Sequence, residues 1–243
     1  MADVTQPTLR ATPVVALDYP DLAQARVMVD ALGASCDFYK VGLELYAADG
    51  PRVLDWLRAA GKRVFVDLKA YDIPNTVRGV ARSVAAHGAS LLTVHAAGGA
   101  RMLEAAVDGA GGASSQDGSG CGILAVTVLT SFSADEYAAA AGKPVPSVEA
   151  EVLRLADVAA RAGCHGIVCS GEEVAAVRSS TPALWPLVPG VRLAGGAAHD
   201  QSRVVTPRDA AARGARYVVL GRAVTAATDP RAAMAAVLAD LAE

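Results

Sequence analysis

A single closed (β/α)8 barrel spanning residues 1–243 is the fold this sequence predicts, and three observations predict it. Eight short apolar runs alternate with longer Ala-rich amphipathic runs, with no long interruption between them. Many of the amphipathic runs end on glycine just before the next apolar run, where the left-handed conformation of an αβ turn is needed. The turn after the first apolar run, made by Asp18, Tyr19 and Pro20, lacks the glycine loop expected of a doubly wound nucleotide-binding sheet. The chain length of 243 residues is close to the roughly 250 usual for such barrels.

In chain order, the first strand is expected at 14–17, followed by helical periodicity over 21–32 that stops at Gly33. A second strand at 38–41 leads to a helix over 51–60 ending on Gly61, and a third strand at 63–68 to a helix over 76–86 ending on Gly88. The fourth strand is 91–94. The segment 109–120, GAGGASSQDGSG, separates the fourth helix from the fifth strand at 123–128 and is expected to be a flexible loop on the non-catalytic face. A helix over 149–162, ending on Gly163, precedes the sixth strand at 166–169. Helices over 172–179 and 207–213, the latter closed by Gly214, precede the strands at 184–188 and 216–220.

Composition excludes several function classes. Hydrophobic residues make up 53% of the chain, enough for a large core, whereas aromatics are only 5%. The formal net charge is −3, which gives no general attraction to nucleic acid or an anionic membrane. Any bound anion must therefore be held by a few placed cations. The spacing of Cys36, Cys121, Cys164 and Cys169 fits neither a zinc pair nor a redox CxxC motif, so buried thiols in a cytoplasmic protein are expected. The opening MADVTQPTLRATP lacks the apolar stretch of a signal peptide. The uncharged stretches 83–100 and 118–134 are broken by Gly, Ser or Thr and do not read as membrane spans.

The polar residues that close the strands carry the functional signal. Asp18 follows the first strand, and Lys40, Gly42 and Glu44 lie at the second. Asp67, Lys69 and Asp72 lie at the third, His95 at the fourth and Thr130 beyond the fifth. On a parallel barrel all these ends meet at one mouth, where active sites of this fold sit. Asp67 and Lys69 are two apart, so strand alternation points them to one side. Lys40, Asp67, Lys69 and Asp72 would form an alternating line in which each charge lies between opposite ones, offsetting the cost of burial. A plain ion-pair network bracing the barrel top is the alternative.

The seventh and eighth strands run into Gly190 and Arg192, a long loop over 194–206 containing Gln201, and the pair Gly221 and Arg222 opening a short helix. These are the loops that bind phosphate in such barrels. A cation near a helix N-terminus is unfavourable without an anion, so Arg222 points to a phosphate ligand. His95 is expected to be a wall of the site, His87 and His165 structural, and His199 solvated. Glu44 and Asp67 could be argued as metal ligands, but the adjacent lysines would repel a cation, so no metal and no cofactor are expected.

Residues 66–77, VDLKAYDIPNTV, resemble the signature of the orotidine 5'-phosphate decarboxylases, an Asp-x-Lys-x-x-Asp core continued by Ile73, Pro74, Asn75 and Thr76. The resemblance extends through ALD at 16–18, YKVG at 39–42, TVH at 93–95 with Gly98 and Gly99, and TVLTS at 127–131. It continues through PGVR at 189–192, DQSR at 200–203 and VLGR at 219–222. Barrels such as 3-keto-gulonate 6-phosphate decarboxylase and hexulose-phosphate synthase share the core, and the IPNT continuation is what points to orotidine phosphate. The resemblance implies decarboxylation of orotidine 5'-monophosphate in pyrimidine biosynthesis. It makes Lys69 the proton donor to C6, sets Asp67 against the substrate carboxylate, and has Lys40 and Asp18 hold ribose hydroxyls. Asp72, Ile73 and Thr76 would complete the neighbouring site of a homodimer. Thr130 would contact the pyrimidine, and Arg192, Gln201, Gly221 and Arg222 would hold the 5'-phosphate. The chain departs from the family pattern at Leu193, Gly196 and His199, all near the phosphate loop. A metal-dependent sugar-phosphate lyase or synthase of the same superfamily and a non-enzymatic phospholigand sensor are the other readings.

Overall fold

A computed structural model of the chain describes residues 10–112, 120–193 and 205–242. Eight parallel strands close into one barrel in sequence order: β1 (Thr12–Leu17), β2 (Phe38–Gly42), β3 (Arg63–Ala70), β4 (Leu91–His95), β5 (Gly122–Val126), β6 (Gly166–Val168), β7 (Trp185–Val188) and β8 (Tyr217–Leu220). The ring is completed by β1 pairing with β8, from Thr12↔Tyr217 to Val15↔Leu220. The expected strands agree with these bounds to within two residues.

The helices are α1 (Leu22–Leu32), α2 (Leu43–Asp49), α3 (Arg52–Ala59), α4 (Pro74–Ala86), α5 (Ala100–Gly109), α6 (Ala134–Ala141), α7 (Val148–Arg161), α8 (Val174–Ser180), α9 (Pro207–Ala212), α10 (Arg222–Thr225) and α11 (Pro230–Ala242). Local chemistry sets several starts. Asp21, Ser147 and Thr206 each accept a backbone N–H of the first turn, and proline opens α4 and α9. Ser133 and Glu136 form a reciprocal capping box at α6. The five glycines expected to end helices, Gly33, Gly61, Gly88, Gly163 and Gly214, all have positive φ. Most of the segment 109–120 lies outside the described residues, so the flexible-loop expectation is not addressed there.

Strand alternation divides the core into two shells. Val15, Leu17, Tyr39, Val41, Val64, Val66 and Leu92 pack outward with the helices. Val14, Ala16, Phe38, Phe65, Leu91, Leu124, Leu187, Tyr217 and Val219 fill the barrel interior. Three aromatics, Phe38, Trp185 and Tyr217, cluster at its N-terminal end. Phe38 meets Tyr217 edge-on at 6.1 Å, Tyr217 meets Trp185 at 6.1 Å, and Trp185 meets His165 at 4.4 Å. Arg63 and Arg216 lie over the Phe38 and Trp185 rings. This plug seals one end and leaves polar chemistry to the other. His165 is thereby structural, as is His87, which pairs with Asp55 at 2.9 Å. All four cysteines are buried thiols, and burial pushes those of Cys121 and Cys164 up to about 12.

Buried Glu151 on α7 braces the excursion between β5 and β6. It accepts hydrogen bonds from Tyr137 on α6, from Lys143 and, at two nitrogens, from Arg154. The Arg154 hydrogen bonds are the main reason its carboxyl sits at about 2 rather than 4.5. A value lowered by folding means that this stabilisation is complete above about pH 4.5 and is lost as pH falls towards 2. Glu151→Ala is expected to cost about 1–2 kcal/mol, because its half-exposed basic partners regain water. Thermal unfolding at pH 7 should register a fall of roughly 2–6 °C, shrinking in acid. An unchanged melting temperature at pH 7 would contradict the bracing role.

Candidate active site

The strand ends at the C-terminal mouth surround a cavity of about 540 Å³. Its floor is apolar, formed by Ala16, Phe65, Val126, Val168, Leu187 and Val219 from six different strands. Asp18, Lys40, Asp67 and Lys69 line one side, while Arg192, Gly221 and Arg222 also line it, and Thr130 and Ser131 lie beyond β5.

The charges form a line. Lys40 Nζ donates to Asp18 Oδ1 at 2.8 Å and lies 3.6 Å from Asp67 Oδ2. Lys69 Nζ lies 2.9 Å from the same Asp67 oxygen. The Lys40 and Asp67 side chains are 11% and 13% exposed, whereas those of Asp18 and Lys69 are 59% and 31% exposed, so the line is buried at its centre and accessible at both ends. Burial by itself raises the Asp67 carboxyl. The Lys40 and Lys69 ammonium groups, with hydrogen bonds from Lys69 and Thr93, outweigh it and hold Asp67 below its ordinary range.

Within one chain, the fourth member of the line is Asp18 rather than Asp72. Asp72 is exposed, does not line the cavity, and accepts the N–H of Ile73 at 2.6 Å. Ile73 and Thr76 are likewise exposed and outside the cavity. Alternation alone does not align Asp67 with Lys69 either. The β3–β4 ladder pairs Val66 with Leu92 and then Ala70 with Val94, so Asp67, Leu68 and Lys69 all lie opposite Thr93. Lys69 has φ of 49°, the only positive value at a non-glycine among the described residues.

Arg192 is buried and donates to the Val191 carbonyl at 2.9 Å. Its backbone N–H donates to Val205 at 3.0 Å, closing the neck of the loop that begins after β7. Arg222 is exposed at the start of α10. That helix has four residues, so any local positive field comes mainly from the two guanidinium groups rather than from a helix dipole. Gln201, Gly196 and His199 lie outside the described residues. His95 ends β4 with its ring 5.8 Å from Tyr71. Burial, then the Lys69 charge, lowers its pKa, which keeps the ring neutral near pH 7. It does not line the cavity, so the expected place in the wall of the site is not where the structure puts it. Glu44 is exposed in the first turn of α2, away from the cavity lining. No cluster of three or more His, Cys, Asp or Glu suited to a metal ion occurs among the described residues. Thr93 behind the cavity, and Ser131 and Thr225 in its lining, are polar residues to which the sequence assigned no role. The signals at Thr93 were one hydroxyl inside the apolar run LLTVH and its place in the TVH segment of the family resemblance.

Similarity to known proteins extends over nearly the whole chain. Residues 12–237 match the family model described as orotidine 5'-phosphate decarboxylase / HUMPS family. Orotidine 5'-phosphate decarboxylase of Anaeromyxobacter sp. (strain K) is 51% identical over 229 residues, covering 93% of this chain and 96% of the relative. That of Cutibacterium acnes is 44% identical, covering 94% and 95%. The crystal structure of orotidine 5'-phosphate decarboxylase from Lactobacillus acidophilus superimposes with a TM-score of 0.83 at 35% identity, covering 95% of this chain and 99% of the other.

Proposed function

The chain belongs to the orotidine 5'-phosphate decarboxylase / HUMPS family, and from that premise we propose that it converts orotidine 5'-monophosphate to uridine 5'-monophosphate and CO2 in pyrimidine biosynthesis. The observation that carries this reading is the line Asp18, Lys40, Asp67 and Lys69 along a cavity that also presents Arg192 and Arg222. The continuation of the core by Ile73, Pro74, Asn75 and Thr76 favours orotidine phosphate over the sugar phosphates used elsewhere in the superfamily.

Loss of CO2 from C6 leaves an electron pair with no adjacent carbonyl to receive it. Catalysis then depends on fixed charges around the carbon. The Lys69 ammonium is the cation placed to stabilise that pair and to protonate C6. Asp67 faces the leaving carboxylate, and its repulsion is relieved as CO2 departs. Lys40 and Asp18 hold the ribose hydroxyls, and Thr130 contacts the pyrimidine. Gly221, Arg192 and Arg222, with Gln201, grip the 5'-phosphate. That binding energy is available to hold the reacting carbon in place.

A homodimer completes the site. Tyr71 and Ile73 are 65% and 66% exposed and flank Asp72, an apolar patch beside a carboxylate at the rim. Such a patch suits burial against a second copy, with Asp72, Ile73 and Thr76 reaching the neighbouring cavity. No helix among the described residues is long and apolar enough to cross a membrane. The four buried thiols fit a reducing compartment, the cytoplasm.

The deciding experiment is a spectrophotometric assay with orotidine 5'-monophosphate in excess chelator. Loss of substrate absorbance with stoichiometric uridine 5'-monophosphate is expected. Tight binding without turnover would instead favour a phospholigand sensor, and turnover restored only by Mg2+ a metal-dependent lyase. Arg222→Ala should raise KM by about 10- to 100-fold, the worth of a charge-assisted hydrogen bond to phosphate. Orotidine itself, which lacks the phosphate, should be turned over equally by both proteins. An unchanged KM for the nucleotide would remove Arg222 from the phosphate grip.

A further inference from the structure

We infer that Thr93 is a positioning residue whose single hydroxyl fixes both the carboxylate of Asp67 and the backbone of Lys69, and that turnover depends on it. This inference rests on the decarboxylation reading above and assigns a function to a residue that does not itself line the cavity.

The geometry is determined by what each group can do. Thr93 is fully buried on β4. Its Oγ1 lies 2.9 Å from Asp67 Oδ1 and 2.9 Å from the Lys69 backbone nitrogen. A hydroxyl has one proton and two lone pairs. The ionised carboxylate only accepts and the amide only donates, so the hydroxyl proton goes to Asp67 and a lone pair to Lys69.

Both bonds replace something the strand has lost. The irregularity places three β3 residues opposite Thr93 and breaks the regular ladder there, leaving the Lys69 N–H in need of a buried acceptor. The left-handed conformation at Lys69 is costly for a residue bearing a Cβ, and the Thr93 bond helps to retain it. On the other side, Thr93 occupies Asp67 Oδ1, so Oδ2 is turned to both ammonium groups. One hydroxyl thus sets the orientation of the carboxylate and the origin of the lysine side chain.

The test compares Thr93→Ser, Thr93→Ala and Thr93→Val. The Ser and Ala variants both lack the methyl group and differ only by the hydroxyl. The Val variant retains the shape and loses both hydrogen bonds. Thr93→Ala and Thr93→Val are expected to lose about 10- to 100-fold in kcat, with KM changed less than about threefold, because misplacement of the reacting groups affects the transition state more than the ground state. Thr93→Ser should retain kcat within about threefold of the parent. The acid limb of kcat/KM should move to higher pH in the Ala variant, since Asp67 loses a donor that favours its ionised form. A role in packing alone would predict equal Ser and Ala variants and an unmoved acid limb. Equal kcat in the Ser and Ala variants overturns the inference. So does a Val variant within twofold of the parent. If Val does not fold, the Ser and Ala pair decides. A parent protein that fails to decarboxylate the nucleotide in the same assay overturns both the inference and the reading beneath it, whereas an active parent with indifferent variants overturns the inference alone.

Discussion

Lys69→Ala should abolish CO2 release while leaving uridine 5'-monophosphate bound. The expected fall in kcat is at least about 10⁴-fold, because two contributions are removed together. A fixed cation beside a developing negative charge contributes about 10²–10³, and proton donation about 10²–10⁴. Lys40 cannot take over, because its ammonium is committed to Asp18 at 2.8 Å and is more deeply buried than that of Lys69. Alanine carries a Cβ just as lysine does, so the substitution adds little backbone strain at φ of 49°. The fold should persist, which makes loss of activity interpretable. Product affinity, measured by calorimetry, should change less than about tenfold, since Arg192 and Arg222 are untouched. Turnover within tenfold of the parent would remove Lys69 from the chemistry.

The barrel was legible in the sequence because each strand is a short apolar run and each expected helix-ending glycine stands where the chain must turn left-handed. Other elements carried weaker signals. Helix α2 begins directly after β2 on Gly42, without a Ser, Thr, Asp or Asn cap to announce it. Helix α11 is apolar nearly all round, so periodicity does not define its faces. The charge line was legible as residue types at strand ends, since charged groups on buried strands require partners. Its internal order was not. Choosing Asp18 over Asp72 as the intrachain terminus depends on where the chain goes after the irregularity in β3. No glycine or asparagine marks the left-handed residue there, because tertiary contacts impose that conformation on a lysine.

The position of Asp72 leads to the second large effect. Its side chain is exposed at the rim of its own barrel, although the sequence places it three residues after Lys69. The turn that carries it runs straight into α4, which packs against α5 with the exposed Arg78–Asp108 ion pair at 2.7 Å between them. At Gly109 a Cβ would lie 2.3 Å from the Arg78 carbonyl oxygen, so the two helices approach closely there. Asp72, Ile73 and Thr76 are therefore presented outward from a braced element, suited to reaching a second subunit. If each site takes Lys69 from one subunit and Asp72 from the other, Lys69→Ala and Asp72→Ala should each be inactive alone. In a hybrid dimer one site carries both lesions and the other carries neither. Random exchange of equal amounts makes half the dimers hybrid, each with one intact site, so the mixture should recover about 25% of parental activity. The measurement is turnover after subunit exchange, with hybrid formation verified by differential tagging. A mixture that stays inactive despite verified hybrids would confine each site to a single chain and leave the exposed carboxylate of Asp72 without a catalytic role.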